Sequence, residues 1–164
     1  MMKHTISVLF EHSFNTLSRI AGLFSGRGYE IDSISLGPAE EPGLVRMTLT
    51  TNGDELIIEQ ITKQLHKIVD VIKVVDLTYE PYVERELALI KVTSSQSSRS
   101  EIMQIVNIFR AKIIDLSPKT LTIEITGGKD KVDAAIGLLR QFGIREVART
   151  GTVALKREFQ EQNQ

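Results

Sequence analysis

What most limits the fold of this chain is that one order of elements is read twice along its 164 residues. Residues 3–10 alternate like a strand, and helical spacing then takes over. Leu17, Ile20, Ala21 and Phe24 fall at i, i+3, i+4 and i+7, a single apolar stripe. Ser13 is the expected N-cap of that helix, and Gly26 and Gly28 supply its stop. A second strand holds Ile31, Ile34 and Leu36, and a third runs from Leu44 to Thr51. Between them, Pro38-Ala39-Glu40-Glu41-Pro42-Gly43 has the composition of a turn. Asn52-Gly53-Asp54-Glu55 has the form of a capping box, with Asn52 as the cap. It opens a second helix on Ile58, Ile61, Leu65 and Ile68, and residues 71–78 read as a fourth strand.

After the charged link Tyr79-Glu80-Pro81-Tyr82-Val83-Glu84 the same order begins again. Residues 87–92 are a strand. Ser98-x-x-Glu101 is a second capping box, opening a helix that turns Ile102, Ile105, Val106 and Phe109 inward. These four lie at one constant offset from Leu17, Ile20, Ala21 and Phe24, with matching residue classes. Residues 113–125 form a hairpin turning at Ser117-Pro118-Lys119-Thr120. A helix follows with Val132, Ala135, Ile136 and Leu139 on one face and Gly143 as its stop. Residues 144–155 hold the last strand, and the polar residues after it are expected to fray.

The plan is therefore α+β, two tandem β-α-β-β-α-β units over residues 3–79 and 83–158. Right-handed crossovers give each an antiparallel sheet in the order 4-1-3-2 with both helices on one face, the ferredoxin-like arrangement. An open sheet face and free edge strands call for partners in so small a unit. The second strand, near residues 30–37, is expected to pair with a copy of itself, making a homodimer.

Chemistry is sparse. The absence of cysteine excludes disulfides, thiolate catalysis and thiolate metal sites. A net charge of −1 argues against a nucleic-acid footprint, and Lys129-Asp130-Lys131 and Lys156-Arg157 read as solvated surface. No apolar run approaches the ~20 residues of a membrane span, and the start of the chain lacks a signal-peptide pattern, so the expectation is a cytoplasmic protein. His4, His12 and His66 have no metal-ligand spacing; His66 suits a helix C-terminus. Thr126-Gly127-Gly128-Lys129-Asp130 lacks the ending of a phosphate loop and reads as a strand-to-helix turn. No nucleophile–base constellation is present, so the chain is read as no enzyme on its own.

The first strand-to-helix turn, Phe10 to Arg19, is the best candidate site. Ser13, Asn15 and Thr16 suit a helix cap, and the free N–H groups there suit a small carboxylate. In a dimer paired through the second strand, Glu30 of the neighbour adds a negative group. Amide donors, an apolar wall and a carboxylate together suit an amino acid zwitterion.

Several segments resemble the acetolactate synthase regulatory (small) subunit family: Leu23-Phe24-Ser25-Gly26-Arg27-Gly28-Tyr29-Glu30-Ile31, residues 83–92, residues 108–115, and Glu146-Val147-Ala148-Arg149-Thr150-Gly151. The resemblance runs from about His4 to Leu155. It implies an N-terminal ACT domain and a second ferredoxin-like domain. It further implies a non-catalytic subunit that binds and activates a large catalytic subunit in branched-chain amino acid biosynthesis, with feedback control by valine. Thiamin diphosphate, magnesium (Mg) and FAD would then belong to that large subunit. The effector residues it implies, at a dimer interface, are His12, Ser13, Asn15, Thr16, Leu17, Glu30 and Ile31. His12 stands where the family has asparagine, Asn15 where it has glycine, and Glu30 where it commonly has asparagine. A side chain in place of glycine narrows the approach of a ligand to the backbone, so a weakened valine response is expected. The alternative is a free-standing ACT-type sensor acting on another enzyme or a transcription factor; it predicts no stable complex with a large thiamin enzyme subunit.

Overall fold

The computed structural model describes residues 2–158; the tail expected to fray falls mainly on residues 159–164, outside that range. The elements are β1 (Met2–Glu11), α1 (Thr16–Arg27), β2 (Ile31–Pro38), β3 (Leu44–Gly53), α2 (Glu55–His66), β4 (Val71–Asp76), β5 (Tyr82–Thr93), α3 (Arg99–Ile108), β6 (Lys112–Leu116), β7 (Thr120–Gly127), α4 (Lys129–Leu139), a 3-10 turn (Arg140–Phe142), β8 (Ile144–Arg149) and β9 (Val153–Lys156). The first sheet has the order β2-β3-β1-β4; the second has the order β6-β7-β5-β8, with β9 also paired to β5, and the pairs along these two orders are antiparallel. This is the 4-1-3-2 plan twice over, two tandem ferredoxin-like units. Even a local irregularity repeats. The edge strands β2 and β6 each slip register near their start, between Ile31 and Ser33 and between Ile113 and Asp115. Such bulges twist an edge and limit indiscriminate pairing.

The chain forms two compact units, one from the residues up to Val83 together with those from Gly151 onward, the other from Glu84 to Thr150. In the first, Ile6, Val8 and Phe10 of β1 and Val45, Met47 and Leu49 of β3 meet Ile20 and Phe24 of α1 and Ile58, Ile61 and Leu65 of α2. In the second, Ala88, Ile90, Val92, Leu121, Ile123 and Ile125 meet Ile102 and Val106 of α3 and Val132, Ala135, Ile136 and Leu139 of α4. Period-2 alternation on the strands and period-3.6 stripes on the helices give each core its facing surfaces. Full burial of each large side chain contributes roughly 1.5–3 kcal/mol.

Four details depart from the sequence expectation. The buried stripe of α1 is Thr16, Ile20 and Phe24, with Leu23 packed beside it, while Leu17 is 44% exposed and Ala21 is also exposed. The helix is thus rotated about one residue from the expected face. Asn15, not Ser13, precedes α1 at the cap position, and its side chain makes no cap bond. On α2 the cap is Asp54 rather than Asn52, its carboxylate accepting the Ile57 N–H at 2.9 Å. Ser98 does precede α3 but caps nothing; its hydroxyl meets Ser95 instead.

A fifth departure concerns the end of the chain. The single strand expected over 144–155 is two, broken at Thr150-Gly151-Thr152. Arg149 ends the second unit by bonding Glu86 and Asp133, both at 2.7 Å, and Thr150 exchanges bonds of 2.9 Å with the Leu87 backbone. From Gly151 the chain returns to the first unit. There it lies over the face of β1 and β3 opposite the helices, where Thr5, Ser7, Thr48 and Thr50 are small and buried. Thr152 and Ala154 are buried, and the Arg157 N–H donates to the Pro81 carbonyl at 2.8 Å. A Cβ on Gly151 would overlap the Ile34 carbonyl and reach Ser35 N at 2.9 Å, so only glycine fits this approach. The open face expected of the first sheet is therefore partly covered from within the chain.

Candidate functional site

The turn between β1 and α1 is pinned from two sides. The Glu11 N–H donates to the Asp70 carbonyl at 2.9 Å, and the His12 N–H to the Gly43 carbonyl at 2.8 Å. The end of β1 is thereby tied to the loop before β4 and to the start of β3. Inside the turn the hydroxyls of Ser13 and Thr16 sit 2.6 Å apart. Both donate to Asp70 Oδ2, at 2.9 and 2.6 Å respectively. These bonds, Thr16 first, hold the Asp70 carboxyl below the usual carboxylate range. The pair is thus committed to a carboxylate supplied by the chain itself.

What remains for a ligand is backbone. The first N–H groups of an α-helix have no partner within it and carry the positive end of its dipole. Thr16 N–H bonds back to the Ser13 carbonyl at 3.3 Å and Arg19 N–H to the Asn15 carbonyl at 3.0 Å, which leaves the amides of Leu17 and Ser18 as the available donors. Asn15 adopts φ −93 and ψ −17, ordinary right-handed backbone. No glycine is required there for conformation, so a side chain at this position acts by occupying space.

The seven expected residues fall into two groups. His12, Asn15 and Leu17 are exposed, Ser13 is half-buried and Thr16 is buried. Glu30 and Ile31 lie beyond the far end of α1; Ile31 packs on the core and Glu30 is exposed, its carbonyl accepting from the Thr51 hydroxyl. A 12-residue helix spans about 18 Å, so one chain does not bring the two groups together. Two residues at the turn are absent from the sequence reading. Asp70 comes from a distant loop, a placement no local spacing signals. Phe14 is 98% exposed, an aromatic side chain standing free at the tip of the turn. Among the described residues no cluster of His, Cys, Asp or Glu is placed to hold a metal ion, and no helix is long and apolar enough to cross a membrane.

Two family patterns match the chain. One, described as an AHAS small subunit-like ACT domain, covers residues 6–73, and the other, described as the small subunit of acetolactate synthase, covers residues 85–158. A probable acetolactate synthase small subunit of Methanothermobacter thermautotrophicus is 53% identical over 155 residues, which is 94% of this chain and 92% of that protein. The acetolactate synthase small subunit of Aquifex aeolicus is 51% identical over 158 residues, 96% of this chain and 82% of that one. The crystal structure of the Thermotoga maritima acetolactate synthase small subunit superposes with a TM-score of 0.90 at 45% identity. That match covers 97% of this chain and 99% of its counterpart.

Proposed function

The chain belongs to the acetolactate synthase small-subunit family, and from that membership we propose that it activates a large catalytic subunit and places it under amino-acid control. A regulatory part in branched-chain amino acid biosynthesis follows from the family. The observation that carries the proposal is likeness along the whole chain, both units included, rather than in one domain. In this reading the large subunit performs the decarboxylation of pyruvate and the condensation that follows. Thiamin diphosphate, magnesium and FAD are bound there, and this chain contributes no reacting group.

The effector reading rests on the β1–α1 turn. The carboxylate of valine meets the α1 amides, because Asp70 already occupies the Ser13 and Thr16 hydroxyls. Glu30 and Ile31 of a second copy complete the site across a β2–β2 pair. Support for that pairing comes from the edge position of β2 and from Ile34 and Leu36 on it, 39% and 47% exposed. Asn15 and His12 crowd the approach, so the valine response is weak.

The test is the activity of the large subunit with and without this chain, titrated with valine, leucine and isoleucine. Activity rises on addition of the chain, and valine inhibits only feebly. Asn15→Gly with His12→Asn strengthens valine inhibition by about tenfold or more in half-effective concentration. No activation, or no stable complex with the large subunit, refutes the proposal; tight valine inhibition of the unaltered complex refutes the crowding argument.

A further inference from the structure

The bend after α3 is made by a residue poorly suited to it. Arg110 has φ 52, in the left-handed region, and no other non-glycine residue among those described has a positive φ. Ala111 N–H donates to the Val106 carbonyl at 2.9 Å and Arg110 N–H to the Asn107 carbonyl at 3.1 Å, the closing bonds of a Schellman turn. The first unit bends in the same way after α1, where Tyr29 N–H donates to the Phe24 carbonyl at 3.1 Å, but the left-handed residue there is Gly28, φ 66. Glycine takes this backbone freely, whereas a Cβ crowds the carbonyl that follows.

Nothing in the second unit offsets that strain. The Arg110 side chain is exposed and forms no ion pair among the described residues, and the same holds for Lys112. The arginine is therefore placed for something outside its own unit.

What adjoins it is bare apolar surface. The strand that follows, β6, is the edge of its sheet and is exposed at all five residues. Ile114 is half exposed and Leu116 is 61% exposed, while Ile108, in the last turn of α3, is 75% exposed. Ile114 is also the residue that the bulge leaves without a partner on β7. Edge strands are ordinarily covered or guarded by charge. Here Arg110 and Lys112 stand at one end, and the aliphatic groups beyond them are uncovered. Exposed apolar groups bordered by an arginine are the composition of a protein–protein contact.

The occupant has to bring a carboxylate to Arg110 and apolar side chains to Ile108, Ile114 and Leu116. A second copy is already assigned to β2, and one two-fold contact closes a dimer. We propose that this edge of the second unit docks the large catalytic subunit, an acidic group of that subunit meeting Arg110 and an apolar segment covering Ile108, Ile114 and Leu116. This docking surface rests on the regulatory reading of the chain and adds to it the place where the large subunit is held.

For the test, full-length wild type and variants are titrated into the large catalytic subunit of the same organism, without valine. The readouts are the half-activating concentration and the calorimetric Kd. Arg110→Gly removes the guanidinium and the strain together. Its melting temperature stays level or rises by up to about 4 °C, while its half-activating concentration rises about tenfold or more. Ile114→Thr, which keeps a β-branched side chain on the strand, raises that concentration about fivefold. Val147→Thr, on β8 at the opposite edge of the sheet, leaves it unchanged. The surface is overturned if Arg110→Gly activates as the wild type does, or if Val147→Thr weakens activation as much as Ile114→Thr. A melting temperature lowered by more than about 4 °C in Arg110→Gly also overturns it, since the arginine then supports its own unit. Sedimentation of the chain alone guards against another occupant: dissociation caused by Ile114→Thr puts a second copy on this edge and sinks the proposal. A wild-type chain that neither binds nor activates the large subunit refutes the regulatory reading itself, so the two failures are distinct.

Discussion

At Asp70 one carboxylate oxygen accepts from both Ser13 and Thr16, and this makes the β1–α1 turn sensitive to acid. The folded-state pKa of Asp70 lies below its ordinary value of 3.8. Its contribution to stability is therefore complete above that value and is lost as the pH falls through the lower, folded value. Urea midpoints measured between about pH 6 and pH 2.5 should fall less steeply at the acid end for Asp70→Asn than for the wild type. Equal slopes would show that the two hydroxyls do not stabilise the carboxylate. The sequence places Ser13 and Thr16 at the right helix end, because Ser and Thr there have a general physical use. Their true partner is hidden, since the loop before β4 reaches them only through the fold. His4 is obscured in the same way: as text it is a residue near the start of a chain, and as structure it is a buried ring on Asp76.

Among the elements, legibility follows how many residues vote. The α4 stripe of Val132, Ala135, Ile136 and Leu139 is buried as its spacing requires. The α1 stripe is off by about one residue because Thr16, chosen for its hydroxyl, turns inward in place of Leu17 and Ala21. Caps are the least legible, since Asn52 and Asp54 are both good cap residues and only backbone geometry decides between them. The break between β8 and β9 depends on Gly151, whose missing side chain lets the backbone settle against Ile34 and Ser35. Gly151→Ala should destabilise the protein by about 1–3 kcal/mol in thermal or urea unfolding, as forced overpacking does. Gly137→Ala, in α4 where nothing lies within 4 Å of the added methyl, should stabilise by up to about 1 kcal/mol and serves as the contrast. An unchanged midpoint for Gly151→Ala would mean that the returning segment is only loosely held.

For the molecule as a whole, the doubled β-α-β-β-α-β order was readable because two periodicities, 2 and 3.6, repeat over long stretches and each mistake is averaged out. What the pattern omits is which unit a strand serves: Val153–Lys156 pairs with β5 of the second sheet, yet belongs with the first compact unit. If β2 pairs with a second copy, Leu36→Lys places like charges across the new seam, and sedimentation should show the dimer dissociating at concentrations about tenfold or more higher than for the wild type. A mass unaffected by Leu36→Lys would move the interface elsewhere. The return of the chain at Gly151 also sets an order of events during synthesis. The first unit is encoded at both ends of the sequence, so its last strand emerges only after residues 84–150 have been made. At roughly 5–20 residues per second, that interval leaves the Ser- and Thr-covered face of the first sheet bare for about 3–13 s. The nascent protein thus displays for seconds a surface that the finished one hides.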